Sequence, residues 1–545
     1  MPEPSEKLPN DKVKSLISLY NAEKTRSANF FNLYQRAADL MYPRDDQITR
    51  ISEPGDAKTD EIYNPTGVIS SQEMASGLSQ NLIPPGQRFF TLESTDKRIN
   101  AIEEISRYLD DLANATHEHM FGSNLLLALN ETLRSLVVFG TGCLFSQYNN
   151  KLSFRNYDVG KYVIMENAEG DVDTIMMEFV LTAKQAYQNW GDAVGDKIKE
   201  AAEKTEEQGT KFTFLHVVRP REEKNPRLKD SKNMPFESLF IDMKEKQIVS
   251  EGGFSEFPYH IPRWDKVSNE VFGRGQGTFA IPMVSQLQQM EANFIECANL
   301  QNHPPLEVLE SFEGEVKMYP KAMNIVMERG TIASVQQQAL GNFVITKDVI
   351  ELQEDRIRKL FFNDIFVQLA NLKGDRRTTL EIQERIGEGL QRLGPPIGRI
   401  HTELFNPLVE RVVRLLVRNG AVPPPPRGLT EFKIEYVGRL ALELKSHQAR
   451  GAKQWVLDIG EMAQLDPNVL DVPNFDSITK RLGNTYGVNS NDMNSEDVVE
   501  AKRQARAEAQ QKAEAMQMAQ MAAEGYGKVS GAPEEGSPAS AMMEA

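Results

Sequence analysis

Two cysteines, Cys143 and Cys297, are the only thiols in 545 residues. So few, so far apart, they supply neither a disulfide framework nor a cysteine-rich metal site, and the chain reads as one assembled in a reducing cytosol. No apolar run reaches the roughly 18 to 20 residues that a membrane helix needs, and the opening MPEPSEKLPNDKVK has no signal-peptide hydrophobic core. The expectation is a soluble protein that is not secreted and meets no membrane. No G-x-x-x-x-G-K-[ST] sequence occurs, and Gly527-Lys528-Val529 lacks both the spacing and the hydroxyl residue, which excludes a P-loop motor. The close histidine pair, His117 and His119, has an i, i+2 spacing that points two rings to different faces of a helix, unlike H-E-x-x-H. Both are expected at the surface. Positive charge is also short: 62 Lys and Arg against 78 Asp and Glu leave a net charge of −16. Duplex DNA carries one negative charge per ~1.7 Å, and proteins that coat it neutralise that charge with Lys and Arg. A DNA-handling role therefore survives only where DNA slides rather than sticks. The same acidity suits a protein that never meets DNA.

What is present is ordinary globular material, 40% hydrophobic and 26% charged, in a length that suggests roughly three or four units. Asn10 and Asp11 can cap a first helix, whose spacing runs through Leu16, Ile17 and Tyr20 and on to Phe30, Leu33, Tyr34, Ala37 and Leu40 before Pro43. A second helix starts near Thr66 and ends at Pro84-Pro85-Gly86, and two more follow before Gly140 and Gly142. From Cys143 to about Pro262 the period shifts towards two, with CLFSQY, KYVI, TIMMEFV, KFTFLHVV and SLFID as strands of a small antiparallel sheet. After Gly273-Arg274-Gly275-Gln276-Gly277, the residues Met283, Leu287, Met290, Phe294 and Cys297 recur at steps of four and three until His303-Pro304-Pro305. That is about 33 Å of rod with one narrow apolar seam, suited to packing on a neighbouring helix.

Residues 306 to 346 read as a compact β-containing excursion, with PLEVLE, GTIASV and NFVIT as strand candidates. A second long helix carries Ile350, Ile357, Phe361, Ile365 and Leu369. A polar loop, Asn371 to Arg377, follows, then a capping-box start at Thr378 and Glu381. Another helix, from Ile400 to Leu415, stops before Asn419-Gly420 and Pro423 to Pro426. The strand candidate FKIEYV opens the C-terminal part. Residues 495 to 523 are helix-favouring, and the last twenty or so have a disordered composition. The fold class is α+β, mainly helical.

Three clusters could carry chemistry. GRGQG has Gly-x-Gly-x-Gly spacing after a polar stretch, whereas a dinucleotide fingerprint wants wider spacing after a buried strand; a tight bend that launches a helix is the better account. Glu351, Glu354 and Asp355 lie among Arg356, Arg358 and Lys359, the pattern of a solvated helical face with i, i+4 pairs. Lys373, Arg376 and Arg377 make a basic loop between two long helices, able to touch phosphates transiently or simply to be solvated. No nucleophile has an evident base, no catalytic or cofactor-binding residue stands out, and no cofactor is expected.

The order of these pieces resembles the head-to-tail connector, or portal, family of podophages. The matching residues are YNPTGVISSQEMASGLSQNLIPPGQRFF (63 to 90), FGRGQGTFAIPMVSQLQQM (272 to 290), NHPPLEV (302 to 308), RRTTLEIQERIGEGLQRLGPPIGRIHTELFNPLVERVVRLLVRNGAVPPPP (376 to 426) and IEYVGRLAL (434 to 442). The resemblance implies a wing (1 to 272), a first stem helix (273 to 303), a clip (304 to 346), a second stem helix (347 to 370) and a tunnel loop (371 to 377). Further wing elements (378 to 446), a helical crown (447 to 524) and a disordered tail (525 to 545) complete it. It also implies a homo-oligomeric ring of about twelve subunits with closed symmetry and a heterologous interface. The partners would be double-stranded DNA, a terminase packaging motor, major capsid and scaffolding proteins, a tail adaptor and internal core proteins. The place would be the portal vertex of a virion assembled in the bacterial cytoplasm. Lys373, Arg376 and Arg377 would then contact DNA, and Met283, Leu287, Met290 and Phe294 are the candidates for the contact between subunits. The competing readings are another head-tail ring such as a tail adaptor, a metal-dependent nuclease, and a structural protein with no DNA role.

Overall fold

Asn10 and Asp11 do open the first helix, α1 (Asn10–Arg26), with Asp11 in its first turn and Lys24 and Arg26 in its last, the charge order that the helix dipole favours. The computed structural model describes residues 10–370, 392–438, 451–485 and 494–529, less 46, 51–52, 54, 101, 224, 226–229, 303–305, 311–312, 314, 318–322, 327, 329–330, 335–342, 427–428, 430, 452–453 and 495. Helix α2 (Ala28–Met41) buries Phe31, Tyr34, Ala37, Ala38 and Met41, the i, i+3, i+4 stripe of a helix lying on a core. Next come α3 (Thr66–Leu82), strand β1 (Phe90–Ser94), the short α4 (Lys97–Asn100), α5 (Glu103–Phe121) and α6 (Leu125–Val138). Helix α6 is the centre of this layer: Leu125, Leu129, Leu133, Leu136, Val137 and Val138 are all buried, with α3, α2 and a later helix packed around it.

The period-two stretch forms two antiparallel sheets. Strands β2 (Leu144–Asn149) and β3 (Lys151–Asn156) pair in a hairpin, and β9 (Tyr259–His260) adds to the other edge of β2. The second sheet has five strands in chain order: β4 (Tyr162–Glu166), β5 (Val172–Thr182), β6 (Lys211–Pro220), β7 (Phe236–Asp242) and β8 (Gln247–Phe254). Between β5 and β6, α7 (Ala183–Trp190) and α8 (Asp196–Glu203) bury Ala186, Ile198 and Ala201 with Phe212 and Phe214 in a small separate core. A capping box between Thr182 and Gln185 starts α7.

Helix α9 (Gln276–Asn302) and helix α10 (Phe343–Leu360) are the two long rods, packed on one another. Strands β10 (Leu306–Val308) and β11 (Ile332–Ser334) pair between them, as PLEVLE and GTIASV suggested. NFVIT is a correction: residues from Phe343 on are helical, not extended. Branched side chains oppose a helix by crowding the preceding turn, and at a helix start no preceding turn exists. A second correction concerns the expected continuous helix over 347 to 370, which ends at Leu360 and resumes as α11 (Asn363–Ala370). Phe362 between them has φ 55°, a left-handed conformation that bulky residues rarely adopt. The break lets α11 turn onto α3, where the Asn363 amide donates to Glu73 at 2.6 Å. There the Phe366 ring lies so near Gly77 that a Cβ would come within 2.5 Å of it.

Residues 392–400 are helical and lead through a π-helical turn, His401–Phe405, into α12 (Asn406–Arg418). Strand β12 (Phe432–Tyr436) then pairs antiparallel with β1, Phe90 opposite Tyr436 and Ser94 opposite Phe432. The chain divides into two compact units, Met1–Leu444 and Lys445–Ala545. Within the second, α13 (Phe475–Thr485) and α14 (Glu496–Val529) are joined by the Arg503 guanidinium, which donates to both carboxylate oxygens of Asp476 at 2.7 and 2.5 Å.

Candidate functional site

The glycine motif and the two long helices define the most elaborated part of the first unit. Each glycine of GRGQG meets the last turn of α6 or the residues just after it at backbone distance. A Cβ on Gly140 would lie 2.2 Å from the Gly275 nitrogen, and one on Gly273 would lie 2.2 Å from the Gly140 oxygen. Gly140 also has φ +99°, so this position excludes a side chain twice over. The amides are committed: Gly273 N–H donates to Thr141 Oγ1, Arg274 N–H to the Asp265 carbonyl and Gly275 N–H to the Phe139 carbonyl. A phosphate cradle needs those donors free. The motif is thus a welded bend from which α9 departs, as its spacing indicated. The Tyr34 hydroxyl locks the same bend by donating to the Gly273 carbonyl at 2.5 Å, and its burial pushes its pKa well above the usual phenol value.

A buried ion cluster holds the approach to this bend. Arg263, 2% exposed, donates to both oxygens of Glu403, at 3.2 and 2.9 Å, and is also paired with Glu166, which Lys266 shares. Burial alone would lower the guanidinium pKa, but hydrogen bonds and charge from Glu403 and Glu166 outweigh it and raise the value. Removing one carboxylate from such a cluster leaves a buried charge uncompensated, at a cost of about 3 to 5 kcal/mol. The cluster ties the loop before α9 to β4 and to the π-helical turn that precedes α12.

The rods are joined by a clamp around Asn64, in the loop before α3. Asn64 N–H donates to Gln288 Oε1 at 2.9 Å and Gln288 returns a bond to the Asn64 carbonyl at 2.7 Å. The Asn64 amide nitrogen donates to Glu354 on α10 at 2.9 Å and to Glu291 on α9 at 3.4 Å. Its own oxygen accepts from Thr66 N–H at 3.0 Å, starting α3. A second amide pair, Gln353 to Gln286 at 2.8 Å, links the rods directly. Pro282 sits inside α9, where its missing N–H removes one helical bond.

The candidates from the sequence fare unequally. Leu287 is fully buried in the subunit's own core, with Met283, Met290 and Phe294 packed against the same cluster. Leu287 therefore packs within the chain, while Met283, Met290 and Phe294 are only half-buried. Assigning Leu287 to a contact with a neighbouring copy is a correction, because no surface of it is left to share. Lys373, Arg376 and Arg377, and the capping box at Thr378 and Glu381, lie outside the described residues. Glu354 and Asp355 do form the expected ion pairs with Arg358, at 3.0 and 3.9 Å. His117 is a further correction: it is buried, stacked 4.1 Å from the Phe90 ring, and its Nε2 accepts from Phe89 N–H at 3.1 Å. Sequence reasoning passed over Asn64, Gln288, Arg263 and Glu403; the amide-rich turn Gln286-Leu287-Gln288-Gln289 opposite YNP was the one available signal.

Among the described residues no three His, Cys, Asp or Glu side chains are grouped to hold a metal ion, and no helix is long and apolar enough to cross a membrane. The arrangement braces the long elements against one another. The family model for the bacteriophage head to tail connecting protein matches residues 13–493. The chain belongs to that family. It is similar to a protein named probable portal protein in Bordetella phage BPP-1, 23% identical over 512 residues that span 91% of this chain and 92% of the relative. It is also similar to the portal protein of Salmonella phage epsilon15, 26% identical over 531 residues, 94% of each. Both matches run through the glycine bend, the paired rods and α12.

Proposed function

We propose that this connector chain is the portal subunit of a short-tailed phage. It stands with about eleven further copies in a closed ring at one capsid vertex, where double-stranded DNA enters on packaging and leaves on ejection. The observation that carries this reading is the family match over residues 13–493, supported by two relatives named portal proteins that align over nearly their whole length. In this reading α9 and α10 are the stem, the β10–β11 excursion is the clip, and residues 371–377 are the tunnel loop. The clip meets a terminase motor during packaging and a tail adaptor afterwards. The wing meets major capsid and scaffolding proteins, and residues 447–524 form a crown that internal core proteins can cover. The chain performs no catalysis; its work is mechanical.

A net charge of −16 fits a conduit, because repeated acidic rings repel phosphate while a few basic side chains give local, reversible contact. Electron micrographs of the purified protein test the proposal: hollow rings wide enough for duplex DNA are expected, and a population of compact monomers at assembly concentrations would refute it. Within a phage, replacing Lys373, Arg376 and Arg377 with Ala should leave rings intact but reduce genome filling, and normally filled heads would remove the loop from the mechanism.

A further inference from the structure

Leu287 lies inside the subunit, so a contact between copies needs other, exposed side chains, and this inference rests on the ring reading above. Two apolar patches beside the rods remain uncovered in the single chain. One lies at the entry to α3, where Tyr63 is 52% and Ile69 50% exposed, with Pro65 exposed between them. The other lies on the outer side of α10, where Val349 is 42% and Leu352 50% exposed. On a 3.6-residue helix Val349, Leu352, Arg356 and Lys359 share the face opposite the buried Ile350, Ile357 and Phe361. The two patches therefore stand on different elements, as a heterologous contact allows.

Asp60 and Glu61 are exposed beside Tyr63, and Arg356 and Lys359 are exposed on the same face as Leu352, with Asp348, Glu351 and Asp355 exposed along its edge. The first patch is also held rigid, since Asn64, between Tyr63 and Pro65, is fixed by Gln288, Glu354 and Glu291. A tyrosine carried on backbone that is already fixed has less freedom to lose on binding, and tyrosine is among the side chains that dominate protein contacts.

We infer that the Asp60–Ile69 patch of one copy docks on the Val349–Lys359 face of the next, apolar centre on apolar centre, with Asp60 and Glu61 towards Arg356 and Lys359. A second copy is the occupant because both patches are present on every chain and their apolar side chains, Tyr63, Ile69, Val349 and Leu352, stay exposed within it.

Charge reversal tests this in the full chain. Asp60→Lys with Glu61→Lys, and separately Arg356→Glu with Lys359→Glu, place like charges across the contact. Each pair should raise the protein concentration needed for rings by at least about tenfold, read by sedimentation velocity. The four substitutions together restore the complementarity and should bring rings back. All four positions are at the surface, so far-ultraviolet circular dichroism and melting should match the wild type. Three outcomes are decisive. Loss in each pair with recovery in the combination supports the pairing. Unchanged rings in all variants, or no recovery in the combination, overturn it while the ring reading stands, and hand the patches to other virion proteins. Absence of rings in the wild type sinks both.

Discussion

At the scale of single residues the fold depends on atoms that are missing or uncharged. Gly140 faces Gly275 with no room for a Cβ and with φ +99°, so Gly140→Ala meets a steric clash and a disfavoured backbone together. A loss of more than about 3 kcal/mol is expected, seen as a lowered urea midpoint or as failure to recover soluble chain. His117, His216 and His260 show the second dependence. Each is buried, with its pKa pulled by desolvation from 6.5 to about 4, 3 and 3 respectively. His216 is held by the Tyr259 and Ser238 hydroxyls and His260 by that of Ser146. The folded state binds these protons less readily than the unfolded chain. Their contribution to stability is therefore complete above about pH 6.5 and is lost as pH falls towards 3 to 4, by about 1.4 kcal/mol per pH unit for each histidine. Denaturation followed from pH 7 to pH 5 should show that slope, and His216→Gln should remove roughly a third of it; a flat profile would place these rings in contact with water. The glycine bend was legible because glycine spacing reports backbone approach directly. The histidines were not, because an i, i+2 pair says nothing of which ring the neighbouring Phe89 and Phe90 will enclose.

At the scale of elements, periodicity located the rods and most strands, since each of those faces a core with one regular side. It misassigned Leu287. A narrow apolar stripe is the same in sequence whether its partner lies in the same chain or in the next, and only the burial of Leu287 in the chain's own core decides for that residue. The consequence is measurable. Leu287→Ala should destabilise the isolated subunit by about 2 to 5 kcal/mol, lowering its denaturation midpoint under conditions where no rings form. A substitution that left subunit stability intact and blocked assembly would return the seam to the interface. The break at Phe361-Phe362 was hidden for a related reason: Ile357, Phe361 and Ile365 keep helical spacing on both sides of it, while its cause, the seat of Phe366 over Gly77, is nearly 300 residues away along the chain. The pairing of β12 with β1 is as remote, and alternation alone cannot name a strand's partner.

For the whole molecule, the two units differ in how they are held. The main core runs from Val13 to Val422 and includes α2, α3, α6, α9, α10 and α12, so it is complete within Met1–Leu444. In the second unit, the buried apolar side chains among the described residues are Ile459, Pro473 and Ile478, whereas Leu465, Val472, Met516, Met518 and Met521 are exposed. A helix of 34 residues whose described side chains lie almost wholly in solvent gains little from packing within its own chain. The two units should then not melt as one. A chain ending at Leu444 is expected to keep the main thermal transition of the full protein within a few degrees, and to form rings if the contact runs through α3 and α10. Calorimetry of the two chains side by side is the measurement. A truncated chain that aggregates or loses its transition would show that residues 445–545 complete the core of the first unit, contrary to the enclosure of that core by its own elements.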